Sequence, residues 1–172
     1  RIDASTRLID FAHEDVDISI RYGAVKEKGL HVEILTHEEV FPVCSPHLVN
    51  PCIEPQQLAD YPLLHLERRS ADKHFPGWNE WLAANNLTSL EFINGPRFSM
   101  SSMVLQAAID GQGIAMASNV LAADDLRAGR LIRLFPQSLM ARYNYHLICT
   151  RGISRRPDIV KFIDWIKQEM AQ

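Results

Sequence analysis

The sequence predicts an α/β chain, on three observations. Through the middle of the chain, strand-like and helix-like segments alternate, each helix followed by a Gly or Asn stop. The two most continuous apolar strands, around Val43 and Ile148, bracket that middle stretch. The composition is that of a globular protein: 172 residues, 47% hydrophobic and 23% charged, enough to bury about 70% of the unfolded surface.

From the start, Arg1–Ala4 reads as a short strand and Thr6–His13 as a helix with Ser5 as N-cap and Leu8, Ile9, Phe11 and Ala12 as its apolar stripe. Asp17–Tyr22 is a strand stopped by Gly23. In Leu30–Leu35 the apolar residues Leu30, Val32 and Ile34 alternate with His31 and Glu33, the pattern of a half-buried strand. Val40–Cys44 is apolar throughout, as suits a strand covered on both faces, while Pro42 lacks a ladder donor and argues for an edge or crossover position.

Loop punctuation at Ser45-Pro46, Asn50-Pro51 and Glu54-Pro55 leads to a helical turn through Leu58 and a strand at Leu63–Leu66. Pro76-Gly77 precedes a helix whose Trp78, Trp81 and Leu82 share a face and which Asn85-Asn86 can end. A strand at Arg97-Phe98, a helix over Met103–Asp110 closed by Gly111 and a strand at Ile114–Ala117 make a strand-helix-strand unit. Val120–Ala128, stopped by Gly129, is a further helix, and Leu131–Phe135 a strand. After the strand Tyr145–Thr150, Pro157 opens a last helix with Ile159, Phe162, Ile163, Ile166 and Met170 on one face.

Composition excludes several function classes. Uncharged runs such as Phe92–Pro96 and Phe98–Ile109 are too short or too polar to cross a bilayer. A net charge of −3 without a basic stripe argues against direct nucleic-acid binding. Cys44, Cys52 and Cys149 are odd in number and widely spaced, so a reducing cytoplasm is expected rather than a disulfide framework or zinc site. Nucleophile elbow, zinc-protease and phosphate-loop motifs are all absent, and neither catalytic residues, a metal nor a cofactor is expected. Gly111-Gln112-Gly113 lacks the third glycine of a dinucleotide loop and follows a helix, so it reads as a helix stop.

The candidate ligand-binding residues lie where strands open into helices. Arg97-Phe98-Ser99-Met100-Ser101-Ser102 delivers three hydroxyls to a helix start, whose free N–H groups and partial positive charge suit a carboxylate, phosphate or amide oxygen. Capping of the helix by one of these serines is the competing explanation. Ser5-Thr6 repeats the arrangement. Arg21 and Tyr22, ahead of Gly23, end a neighbouring strand; Arg21 suits an anionic effector, or else an ion pair with Asp15 or Asp17. Cys44 and Cys149, near the ends of the two bracketing strands, read as core packing, with a redox pair as the lesser alternative.

Taken in order, Arg1-Ile2-Asp3-Ala4-Ser5, Asp15 through Gly23 and Glu38 through Pro46 resemble the effector-binding domain of LysR-type transcriptional regulators. The resemblance continues through Leu63-Leu64-His65, Trp78 to Leu82, Met103 to Ala108 with Gly111 to Ala115, Gly129-Arg130-Leu131 and Pro157 to Ile166, and covers nearly the whole chain. The Ile-Arg-Tyr-Gly and Phe-Pro-Val-Cys-Ser-Pro phrases are most similar to the subgroup of glycine-cleavage activators and β-lactamase-gene regulators.

That resemblance implies a type 2 periplasmic-binding-protein-like fold of two α/β subdomains joined by two crossover strands, here Val40–Ser45 and Tyr145–Thr150. Subdomain I would be residues 1–43 with 149–172, and subdomain II residues 44–148. A small polar or anionic effector would bind in the intersubdomain cleft, with Ser99, Ser101 and Ser102 on one side and Arg21 and Tyr22 on the other; Thr6 joins them by its position. The resemblance also implies a homodimer or homotetramer in the cytoplasm, with DNA held only by an N-terminal winged helix-turn-helix. That module, a linker helix, and the first strand and helix of subdomain I are expected ahead of Arg1. The alternative function on the same fold is a stand-alone solute-binding protein of a transport system; an enzyme on this fold is disfavoured by the missing catalytic cluster.

Overall fold

The structure is a computed structural model and describes residues 1–5, 7–25, 28–49, 53–67, 75–87 and 95–170. In chain order the strands are β1 (Ser19–Tyr22), β2 (Leu30–Thr36), β3 (Glu39–Cys44), β4 (Leu63–Leu66), β5 (Arg97–Phe98), β6 (Ile114–Ser118), β7 (Ile132–Arg133), β8 (Leu139–Met140) and β9 (Tyr145–Thr150). The helices are α1 (Trp78–Ala84), α2 (Ser101–Ile109), α3 (Asn119–Arg127) and α4 (Pro157–Met170), with 3-10 turns at Pro55–Asp60 and Ile153–Arg155. Helices and sheets are mixed, as the α/β reading requires. The chain divides into two compact units, Arg1–His37 with Tyr143–Gln172, and Glu38–Arg142.

In the first unit, β9 lies between β1 and β2, antiparallel to both. The amphipathic α4 covers one face, where its Ile159 and Ile163 pack on Leu147 and Cys149 with Leu35 and Ile18 alongside. Pro157 opens this helix as expected, at a position where its missing N–H costs no hydrogen bond. Phe162, expected on the buried face, is instead 37% exposed and lies against Trp165, ring centroids 5.6 Å apart.

Two expectations fail in this unit. Arg1–Ala4 forms no strand, and no helix forms over the described part of Thr6–His13; Thr6 itself lies outside the described residues. A local turn takes the helix's place: the Asp10 carboxylate accepts from Ala12 N–H and His13, and Glu14 accepts from Asp10 N–H. Leu8 is 71% exposed, Ala12 is exposed and Ile9 and Phe11 are only half-buried, so the expected stripe is not packed as one face, and packing is where a short helix gets most of its stability.

The alternation of β2 is real but its faces are reversed. Val32 and Ile34 are exposed, whereas His31 and Glu33, in register with Cys149 and Leu147, lie on the face that α4 covers. Glu33 is tolerated there because Lys167 of α4 and His31 both bond its carboxylate. Period two fixes which residues share a face; it does not say which face is buried.

The second unit is three-layered. Its sheet runs β5-β4-β6-β3-β7, with β8 also on β3; β4 is parallel to β5 and β6, and β3 is antiparallel to β6. On one face α2 and α3 bury Phe41, Val43, Leu64 and Leu105; on the other α1 buries Cys44, Leu58, Trp81 and Phe135. Strand β3 is thus covered on both faces, as its apolar run predicts. Pro42 fits because its carbonyl accepts from Leu134 N–H at 3.0 Å, so its missing N–H points to the same flank, where β8 stops and β7 has yet to begin.

The helix stops are those the sequence marks. Asn86, Gly111 and Gly129 adopt positive φ after α1, α2 and α3. In each, the following N–H reaches back to form the longer Schellman bond: Leu87 to Leu82, Gln112 to Ala107 and Arg130 to Asp125, all at 2.9 Å.

Each of the two bracketing strands pairs within one unit. Among the described residues β3 pairs within the second unit's sheet and β9 within the first's, and the compact units divide at His37-Glu38 and Arg142-Tyr143, a few residues ahead of the expected 43/44 and 148/149. The passages run side by side: Gly23 N–H donates to the Asn144 carbonyl at 3.3 Å, His37 Nδ1 bonds Asn144 Oδ1 at 3.2 Å, and Ala141 N–H donates to the Glu38 carbonyl at 2.8 Å.

Candidate functional site

In the second unit the site grows from one end of the parallel strands. β4, β5 and β6 finish together; Glu67 N–H donates to the Phe98 carbonyl at 2.6 Å, and α2 and α3 start directly after β5 and β6. Carboxyl ends of parallel strands are where open α/β sheets bind ligands.

At that end α2 begins with Met100 as N-cap, a residue with no side-chain oxygen to cap with, so capping does not account for the serines. Ser101 and Ser102 occupy the first helical turn and Ser99 sits just before it, exposed. The first intrahelical bonds come from Met103 and Val104 N–H to the Met100 carbonyl, which leaves the Ser101 and Ser102 amides ahead of them. The start of α2 therefore offers amides, hydroxyls and the positive end of the helix dipole together, a set suited to an oxyanion or carbonyl. By contrast, Ser118 at the start of α3 is buried and spends its hydroxyl on Leu121 N–H at 3.2 Å.

His65 belongs to the same end and was not among the expected site residues. It lies in register with Arg97 and lines a cavity of about 40 Å³ with Trp78 and Met116. Its Nε2 is buried with no hydrogen-bond partner among the described residues. Burial first, and the Arg97 charge second, push the imidazole below its ordinary value and keep it neutral. A polar residue at the carboxyl end of an apolar parallel strand was the available signal.

In the first unit Arg21 and Tyr22 close β1, opposite His146 and Tyr145 of β9. Tyr22 packs against Tyr145 at 5.1 Å and edge-on against Tyr143 at 6.2 Å between ring centroids. Gly23 follows with φ +138, the turn only glycine makes without strain. Asp17, one partner considered for Arg21, is bonded to Arg156 at 2.8 Å. In each unit the candidate residues thus lie at the end of the sheet where the chain leaves for the other unit.

The cysteines sit in separate cores. Cys44 is fully buried in the second unit and burial pushes its thiol up to about 11; Cys149 is buried in the first, raised by burial and by the Glu33 charge. Cys52 lies outside the described residues. Among the described residues no group of three His, Cys, Asp or Glu is placed to hold a metal ion. No helix of the described chain is long and apolar enough to cross a membrane.

Comparison with known proteins bears on this arrangement. The chain is 38% identical over 174 residues to the glycine cleavage system transcriptional activator of Escherichia coli (strain K12), covering 99% of this chain and 55% of that protein. It is 30% identical to the homologous activator of Haemophilus influenzae, over 93% of this chain and 52% of that one. The chain thus spans about half the length of the curated relatives it matches. In fold it resembles the AmpR effector-binding domain from Citrobacter freundii, with a TM-score of 0.68 at 23% identity over 95% of this chain and 78% of that one. That likeness fixes the type 2 periplasmic-binding-protein-like architecture. With a profile of the LysR substrate binding domain matching residues 1–171, essentially end to end, the chain belongs to that family.

Proposed function

We propose that this chain is the effector-sensing domain of a LysR-type transcriptional regulator, in which Ser99, Ser101 and Ser102 together with Arg21 and Tyr22 contact a small polar or anionic metabolite. Thr6, outside the described residues, is proposed with them on sequence position alone. The longer protein would act in the cytoplasm as a homodimer or homotetramer and hold DNA through an N-terminal winged helix-turn-helix. The domain is a switch and performs no chemistry: a ligand acts by its differential affinity for two conformations, which needs no reactive residue.

The observation that carries this reading is the start of α2, with hydroxyls and amides unspent on capping at the carboxyl ends of parallel strands. The relatives are named as transcriptional activators and regulators, which favours regulation over the transport alternative.

A thermal-shift screen of amino acids, small carboxylates and cell-wall fragments on the full-length protein tests it. A true effector at about 100 times its Kd adds about 2.7 kcal/mol, a shift of about 5–10 °C for a domain of this size. Ser101→Ala and Arg21→Ala should each reduce the shift. An undiminished shift in both variants removes these residues from the site.

A further inference from the structure

A basic concavity lies in the first unit. It measures about 480 Å³ and is lined by Leu30, His31 and Val32 of β2 and by Arg151, Ser154 and Arg155 of the turn after β9. β2 is the edge strand of its sheet, so the wall formed by Leu30–Val32 is an open strand edge.

Several arginines elsewhere among the described residues are paired with acids. Arg156 bonds Asp17 and Asp158, Arg130 bonds Asp125, and Arg127 bonds Asp124. Arg151 and Arg155 are exposed and have no acidic partner among the described residues. The nearest acid along β2, Glu33, is already engaged by Lys167 and His31. The turn that carries both guanidiniums is tied in place: Ser154 Oγ donates to the Arg151 carbonyl at 3.0 Å and Ile153 N–H to Thr150 Oγ1 at 3.4 Å. Two uncompensated positive charges on a fixed turn beside a concavity call for a ligand of about two negative charges. A phosphate monoester carries about −1.5 to −2 near neutral pH, and a monocarboxylate only one.

We propose that Arg151 and Arg155, at the mouth of this concavity, bind the phosphate group of a small phosphorylated metabolite. The site is separate from Arg21 and Tyr22: those lie opposite the start of β9, Arg151 follows its end, and the strand between spans about 17 Å. A duplex DNA backbone would present phosphates as well, but the net charge of −3 works against it.

Calorimetric titration of the 172-residue chain with inorganic phosphate, at ionic strength held constant with sodium chloride, tests the assignment. Saturable binding is expected, at least tenfold weaker in Arg151→Gln/Arg155→Gln and weaker to a lesser degree in each single variant, all with unchanged circular dichroism. Acetate should bind at least tenfold more weakly than phosphate. The same loss on Arg151→Gln/Arg155→Gln should be seen in a chain that already carries Ser101→Ala and Arg21→Gln, which separates this site from the effector site. Phosphate binding that survives the double variant, acetate binding equal to phosphate, or tight binding of random duplex DNA lost in the same variants would each overturn the proposal.

Discussion

Gly113 approaches Pro62 so closely that a Cβ at position 113 would lie 2.4 Å from the Pro62 carbonyl oxygen. That carbonyl accepts from Ile114 N–H at 2.9 Å, so the two segments cannot separate without breaking the bond that starts the β4–β6 pairing. Gly111, two residues earlier, is a different case: its φ of +74 needs glycine, but a Cβ there would meet nothing within 4 Å. Gly111→Ala should therefore cost about 1–2 kcal/mol of conformational strain alone, and Gly113→Ala more, about 2–4 kcal/mol of overpacking plus a lost hydrogen bond. Urea midpoints of the two variants check the order; equal values would contradict it.

The same contrast explains what the sequence makes legible. Asn86, Gly111 and Gly129 are readable as helix stops because a positive φ is a local demand that local residue choice answers. Trp78, Trp81 and Leu82 are readable as a buried face because helical spacing is also local. The helix at Thr6–His13 is not, because a stripe stabilises a helix only when tertiary packing buries it as one face, and here Ile9 and Phe11 are half-buried while Leu8 and Ala12 are exposed. The buried side of β2 is decided by Lys167, far along the chain, and the freedom of Ser101 and Ser102 from capping is decided by Met100 taking the N-cap. His65 is perturbed first by burial and then by register with Arg97, neither of which a local motif encodes.

Trp81 is fully buried on Phe135 and Trp78, with its Nε1 donating to the Gln137 carbonyl at 3.3 Å. Trp81→Ala should destabilise the second unit by about 3–5 kcal/mol through cavity formation. Trp165, 51% exposed on α4, should cost less than about 1 kcal/mol when replaced by Ala. Chemical denaturation of both variants tests the pair.

Cys44 and Cys149 should be inert in the folded protein. Both thiols are buried and held in the neutral form, Cys44 up to about 11, so at pH 7 only about one Cys44 in ten thousand is thiolate. Iodoacetamide labelling read by mass spectrometry should find neither modified until denaturant is added. Rapid native labelling of either would contradict the burial.

Glu33 links stability to pH. The Lys167 bond first, and the His31 bond at 2.6 Å after it, hold its carboxyl below the ordinary value of 4.5 against the opposing effect of burial. A carboxyl lowered by folding stabilises the fold above its unfolded pKa and loses that contribution as pH falls through the folded one. The stability gap between the native chain and Glu33→Gln should be widest near pH 6 and narrow steadily below 4.5. A gap independent of pH from about 6 to 3 would mean that the ion pair contributes nothing.

His13 and His65 should titrate on opposite sides of the ordinary value of 6.5. His13 is raised, first by its hydrogen bond to the Asp10 carboxylate at 2.8 Å and then by that group's charge. His65 is lowered, first by burial and then by Arg97. Because folding favours neutral His65, its contribution to stability is present above 6.5 and is lost as pH falls below it toward the folded value. Two-dimensional NMR of the imidazole carbons across pH 5–8 reads both directly, and Arg97→Gln should move His65 back toward 6.5 while leaving His13 in place. A His65 midpoint at or above 6.5 would mean that water or a hydrogen-bonding acceptor reaches its Nε2, and that this nitrogen is not held ready for a ligand at the end of β4.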